Sequence, residues 1–401
     1  MATRALFFYL RRVQGNRSRF RSLTSGAVRS EIVEDKQESF AKSPEKVDDD
    51  LKSRIFRLRL PKRSATNVLQ KWIGEGNSVS ISDLRNISKE LRKAQRYKHA
   101  LEISEWMVTH DEFELSDSDY AVRIDLITKV FGIDAAERYF EGLPHTAKTT
   151  ETYTVLLHSF AAAKMTDKAE DLYEQIKTLN LSFGALLYNE MMTLYMSVGQ
   201  VEKVSAVVED LKRQKIVPDL FTYNLWISSC AAALDIDGVR EVLSEMSQES
   251  GSNDDWERYM KLANIYISTA NLMNSDSNSV IETETGITQR EWITYDFLII
   301  LYAGLGEKVK IDQIWKSLRM TKQKMTSRNY ICILSSYLML GELKGTEEVI
   351  DQWKHSTATD FDISTCKRLL DAFVGAGLKE KAQAFQAVLV QKECGPIDEI
   401  N

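Results

Sequence analysis

Residues 185–219 read ALLYNEMMTLYMSVGQVEKVSAVVEDLKRQKIVPD, and this stretch decides the fold. Tyr188, Met191, Met192 and Tyr195 recur at spacings of three and four, which predicts a helix over Leu186–Val198. Gly199 then supplies the left-handed exit that a helix end prefers. A second helix is expected from Val201 to Gln214, with Val204, Val207, Val208 and Leu211 as its apolar stripe. Pro218 blocks further helix, and Asp219 stands ready to open the next one.

The same pattern returns along the chain. Tyr120, Tyr153, Tyr188, Tyr223, Tyr259, Tyr295 and Tyr330 follow one another at intervals of 33 to 36 residues. Sixteen positions after each comes a mostly small or β-branched residue: Ala136, Ala169, Val204, Val239, Ser275, Ile311 and Thr346. The comb extends back to Ala100 and on to Ala382, and Gly306, Gly341 and Gly377 share the slot of Gly199. Nine units result: 81–116, 117–149, 150–184, 185–219, 220–255, 256–291, 292–326, 327–362 and 363–397. One helix pair this short cannot bury its apolar face alone, whereas stacked neighbours bury it together. The expected fold is all-α, a right-handed α-solenoid (superhelix) of about nine 35-residue helix-turn-helix repeats. Tyrosines recurring at one helical slot are expected to pack the seam between repeats. Residues 51–80 read as a degenerate N-terminal cap, with 65–76 (ATNVLQKWIGEG) as its second helix. In the sixth unit, 274–286 (NSDSNSVIETETG) places Ser, Asn, Thr and Asp where apolar residues should face the core. A frayed or missing helix is expected there, dividing the array into 81–270 and 292–397.

Composition supports this reading. Of the 401 residues 43% are hydrophobic and 27% charged, so the chain can fold and is not disordered. Only 18 Gly and 5 Pro punctuate it, which favours helix. The 4 Cys suit a reducing compartment rather than a disulfide scaffold. No apolar run approaches the length of a membrane span. The net charge of −6 hides an asymmetry: residues 1–30 carry seven Arg and no Asp, Glu or Lys. Arg-rich, Ser-containing and acid-free is the composition of a mitochondrial transit peptide, with a chloroplast address the weaker choice. The alternative is a basic arm that stays on the protein and touches nucleic acid. Cleavage near residue 30 would take the charge to about −13. Residues 31–50 read as an acidic and polar linker and 398–401 as a tail.

No catalytic constellation emerges. His110-Asp111-Glu112 fits part of a zinc deaminase signature, but that chemistry needs a C-x-x-C, and none of the four Cys forms one. The His and Cys residues are dispersed, so no metal site is expected. Gly375-Ala376-Gly377 lacks both the third glycine and the preceding strand of a dinucleotide loop. No enzyme activity, cofactor or small-molecule substrate is expected. Two basic stretches, Arg54–Arg63 and Arg85–Lys98, read either as solvated helix faces or as docking surfaces. The second would present Arg85, Lys89, Arg92, Lys93 and Arg96 to phosphate.

The 35-residue period, with Pro218-Asp219 closing one unit and Thr222-Tyr223-Asn224 opening the next, resembles the pentatricopeptide repeat family. The likeness covers about 81–397 and is greatest to the plant organellar members built of plain 35-residue units. It implies binding of single-stranded organellar RNA through a concave surface, in RNA processing, stability, splicing or translation. The alternative it implies is a protein-interaction scaffold, such as a mitoribosome-associated subunit. In the family one base per unit is read mainly by the fifth and last residues. Carried over, the third unit offers Thr154 with Gly184, the fourth Asn189 with Asp219, and the fifth Asn224 with Asp255. The two Asn/Asp pairs resemble the uracil-preferring combination, so U-containing RNA is the expected partner. The other units offer Arg85/Ser116, Ala121/Thr149, Met260/Glu291, Asp296/Thr326, Ile331/Asp362 and Lys367/Ile397, of which Ala, Met and Ile cannot select a base by hydrogen bonding.

Overall fold

The structure, a computed structural model, describes residues 50–58, 64–110, 112–179, 181–249, 253–270, 289–320, 325–356 and 361–394. Segment 1–30, most of the linker, 59–63, the 274–286 stretch and the tail lie outside these residues. Among the described residues there are nineteen α-helices and no strand. No helix among them is long and apolar enough to cross a membrane.

The chain forms two compact bodies, divided in sequence between Phe183 and Gly184, one residue before the end of the third unit. The first holds the cap, α1 (Leu51–Phe56) and α2 (Ala65–Gly74), and then three helical hairpins. These are α3 (Ile81–Lys93) with α4 (Tyr97–Thr109), α5 (Asp117–Phe131) with α6 (Ile133–Glu141), and α7 (Thr150–Ala162) with α8 (Thr166–Lys177). Each hairpin packs on the next, and α2 packs on α4. The second body begins with α9 (Ala185–Val198) and α10 (Val204–Arg213), the hairpin expected from 185–219, followed by α11 (Leu220–Ala232) and α12 (Ile236–Glu249). After α13 (Asp254–Thr269) come three hairpins: α14 (Gln289–Gly304) with α15 (Lys308–Met320), α16 (Ser327–Leu340) with α17 (Leu343–Lys354), and α18 (Ile363–Gly375) with α19 (Lys379–Gln391).

The hairpin turn has one recurring geometry. The fifteenth residue of seven units adopts positive φ: Gln95, Lys164, Gly199, Leu234, Gly306, Gly341 and Gly377. Glycine marks four of these. At Gln95, Lys164 and Leu234 the turn imposes a left-handed conformation that L side chains disfavour by roughly 1–2 kcal/mol. The first helices start on side-chain caps. Ser80 with Asp83, Ser116 with Asp119, Asp219 with Thr222 and Thr326 with Asn329 form reciprocal capping boxes that satisfy orphan backbone N–H groups.

The tyrosine comb packs the seam between repeats. Tyr153 lies edge-on to Phe140 at 4.9 Å and to Phe183 at 6.4 Å. Tyr330 stacks on Trp353 of its own second helix at 5.2 Å and meets Trp315 of the preceding one at 5.8 Å. The Tyr223 ring meets Trp256, and its hydroxyl donates to Glu249 at 2.8 Å. Tyr259 departs from this pattern. Its fully buried hydroxyl donates to Asn224 Oδ1 at 3.2 Å, within the layer of first helices.

That departure belongs to the whole of α13. First helices stack on one another as α9 on α11 and α14 on α16. Yet α11 packs directly on α14, and α13 lies instead against α14, α16 and α18. Consequently α14 is enclosed by α11, α13, α15 and α16, and Trp292–Ala303 are all buried. Such burial explains why its sequence carries apolar residues without a single face.

Candidate nucleic-acid interface

The fifth residue of a unit sits on the first turns of its first helix, and the last residue caps the next first helix. Asp219 shows how the two meet. As N-cap of α11 its Oδ1 accepts from Thr222 N at 2.8 Å and Thr222 Oγ1 at 3.0 Å. Asn189, fully buried on α9, extends Nδ2 to the same oxygen at 3.5 Å. That long contact orients the amide, and among the described residues its Oδ1 has no hydrogen-bond partner. An unpaired buried acceptor carries a desolvation penalty of about 1–3 kcal/mol until a donor reaches it.

The other expected positions differ. Asn224 and Asp255 turn to separate partners: Asn224 accepts from Tyr259, and Asp255 pairs with Arg258 one turn on. The register explains this, because the cap of α13 is Asn253 and Asp255 lies inside the first turn. Thr154 returns its hydroxyl to Thr150 O at 2.7 Å, an internal helix bond, and Gly184 is the exposed N-cap of α9. Thr154 and Gly184 belong to different bodies. Ala121 and Ile331 are buried apolar residues. Glu291 and Ile397 lie outside the residues whose side chains are described.

Asp296 of the seventh unit stands out, and its sequence context carried no sign of it beyond a carboxylate at the fifth position. It is fully buried, accepting from Tyr266 Oη at 2.7 Å and from Asn329 Nδ2 at 3.0 Å, with Arg328 Nε at 3.3 Å. Burial raises its carboxyl above the usual range, opposed by the Arg328 charge and the donated bonds.

The basic stretch is largely committed within the protein. Arg85 grips Asp119 with Nε at 3.1 Å and Nη2 at 2.6 Å. Arg92 pairs with Asp125 at 3.3 Å and Lys93 with Glu90 at 2.5 Å. Arg96 donates to the carbonyls of Phe56 at 2.9 Å and Leu58 at 2.6 Å, joining the cap to the first unit. Lys89 is exposed. Alternation of Lys and Arg along α3 was visible in the sequence, but the acids that meet Arg85 and Arg92 come from the next repeat, and only Glu90, beside Lys93, lies on α3 itself.

His110 stacks on Trp106 at 3.9 Å, and its Nδ1 lies 2.7 Å from Trp106 O, a packing role. Cys230, Cys332, Cys366 and Cys394 are free and buried, and burial pushes the Cys230 thiol up to about 11. Among the described residues no group of His, Cys, Asp or Glu could hold a metal ion.

Paired helices recurring at intervals of 33 to 36 residues define a helical-repeat protein. The matching family models are the PPR repeat family over residues 184–232 and the PPR repeat over 151–181 and 221–250. A mitochondrial pentatricopeptide repeat-containing protein of Arabidopsis thaliana is 57% identical over 98% of both chains. A second mitochondrial member from Arabidopsis thaliana is 32% identical over 86% of this chain and 70% of its own length. Among solved structures, a pentatricopeptide repeat protein in complex with an 18-nucleotide psaJ RNA element is 14% identical, with a TM-score of 0.39, over 83% of this chain and 48% of its own. The chain belongs to the pentatricopeptide repeat family. It is a mitochondrial member, in keeping with the arginine-rich, acid-free segment 1–30.

Proposed function

We propose that this protein binds single-stranded, U-containing mitochondrial RNA along the first helices of its units, in RNA processing, stability or translation, without catalysis of its own. The observation that carries the reading is the Asn189–Asp219 pair. A cap carboxylate lies beside the amide, and among the described residues the buried amide Oδ1 has no hydrogen-bond partner, so it would accept from a base N–H such as that of uracil once the strand displaces the side chains that cover it. Asn189 and Asp219 are the proposed reading residues of the fourth unit.

A protein-held scaffold, such as a mitoribosome-associated subunit, is the second reading. The commitment of Arg85, Arg92, Lys93 and Arg96 to internal partners favours it, because phosphate binding needs uncommitted cations. Fluorescence anisotropy with a uridine-rich strand separates the two. RNA binding predicts an affinity that falls with salt and drops by roughly tenfold in Asn189→Ala, about 1.4 kcal/mol. Co-sedimentation with a large particle, unchanged by Asn189→Ala and unaccompanied by strand binding, would establish the scaffold instead.

A further inference from the structure

We propose that helix α13 is an internal occupant of two base-reading positions, standing where nucleotides would stand at the fifth and seventh units. The proposal rests on the RNA reading above for the meaning of those positions, and on contacts within the second body for their occupancy.

Tyr259 and Tyr266 lie seven residues apart on α13, two helical turns, and so share a face. Both are fully buried. Each donates its hydroxyl to the fifth residue of a flanking unit: Tyr259 to Asn224 Oδ1 on α11 at 3.2 Å, and Tyr266 to Asp296 Oδ2 on α14 at 2.7 Å. A phenol offers what a base offers, a flat aromatic ring with a hydrogen-bond donor at its edge. The acceptor oxygens that would take a base N–H are thereby engaged.

The docking is close and directional. α13 runs antiparallel to α14, with Tyr259 against Gly304 near one end and Tyr266 edge-on to Phe297 at 5.4 Å towards the other. A Cβ on Gly304 would stand 2.9 Å from Tyr259 Cβ, 3.1 Å from Tyr259 Cα and 3.2 Å from Asp255 O, so only glycine admits this approach. Arg258 Nε donates to Gly304 O at 3.0 Å and closes the same contact. Arg328 of α16 shares Asp296 Oδ2 with Tyr266, and Asn329 holds Oδ1. The sequence itself supplies the motive, because 274–286 offers no apolar stripe for α13 to pair with. Its buried Leu262, Ala263 and Ile265 are covered instead in the body formed with α14, α16 and α18.

RNA reading therefore stops at the fourth unit unless α13 leaves. The test is photocrosslinking of the full chain to a thiouridine-substituted single strand with peptide mapping, beside amide exchange of α13. Wild type is expected to crosslink in α9 and not in α14, with α13 amides protected. Gly304→Leu wedges the two helices apart without disfavouring α14 itself; α13 protection should fall by roughly tenfold or more, and α14 should gain crosslinks. Should that variant misfold, Tyr259→Phe combined with Tyr266→Phe removes only the two hydroxyls and should give the same shift more weakly. Wild-type crosslinks in α14 at the yield of α9, or unprotected α13 amides, overturn the proposal. So does a variant that frees α13 but gains no crosslinks in α14 while α9 still crosslinks. No crosslinks anywhere, with α13 protected, removes the RNA reading and leaves the docking of α13 standing.

Discussion

Asn224→Ala should loosen α13, although residue 224 lies on α11. The Tyr259 hydroxyl is fully buried and donates to Asn224 Oδ1. Removing the acceptor leaves a buried donor unpaired, which costs about 1–3 kcal/mol. At 3.2 Å the bond is longer than the roughly 2.7–2.8 Å typical of hydroxyl donors, so the lower half of that range applies, about 1–2 kcal/mol. Tyr259→Phe deletes the other partner and should cost about 1 kcal/mol. Together the two changes remove both polar groups, so their sum should exceed the double variant by about 1 kcal/mol. The void left by the carboxamide is common to the single and double variants and cancels in the cycle. Amide exchange read at α13 is the assay, because a chain of two bodies does not unfold as one unit. A loss of about 1.4 kcal/mol speeds exchange roughly tenfold. Residues 50–179, in the other body, serve as the internal control. Exchange of α13 unchanged by Asn224→Ala, or strictly additive single effects, would refute the claim that this amide is a structural acceptor.

Two further outcomes follow from the turn and the caps. At the shared fifteenth slot, Gly199→Ala (φ +79, open space around the added methyl) should destabilise the α9–α10 hairpin by about 1 kcal/mol, while Leu234→Gly (φ +61) should change the α11–α12 hairpin in the opposite sense by about 0.5 kcal/mol. Local amide exchange measures both, and equal signs would discount the turn argument. Burial pushes the Asp119 carboxyl up, but Arg85 and Ser116 outweigh it and hold the group below its ordinary 3.8. A depressed folded value contributes stability above pH 3.8 that is lost as pH falls through the folded value. Protection at the start of α5 should therefore fall in strong acid, and Arg85→Ala should flatten that dependence; an unchanged profile in the variant would assign the effect to Ser116.

Much of the fold is legible in the chain because its rules are local. Gly199, Gly306, Gly341 and Gly377 announce the hairpin turn, since glycine alone enters the left-handed region at no cost. Gln95, Lys164 and Leu234 occupy the same turn silently, forced there by the helices they join. Tyr153, Tyr223 and Tyr330 fill the seam their spacing predicts. Asn189 and Asp219 meet across the unit boundary, whereas Asn224 and Asp255 do not. That second pair fails because the sixth first helix begins on Asn253, which shifts the register by an amount the 36-residue interval does not reveal. The acids that engage Arg85 and Arg92 stand more than thirty residues away, beyond any pattern read along one helix.

Sequence alone determined the all-helical class, the period, the pairing of helices and the family, because helix starts, stripes and exits depend on residues within a few turns of one another and the same local pattern recurs along the chain. Tertiary structure alone decided that α11 stacks on α14, that α13 lies across its neighbours, and that Tyr259 and Tyr266 cover Asn224 and Asp296. The physical reason is that a helix buries its apolar surface wherever a complementary surface is free. Where 274–286 offers no stripe, the partner of α13 is chosen by contacts between distant parts of the chain rather than by adjacent sequence.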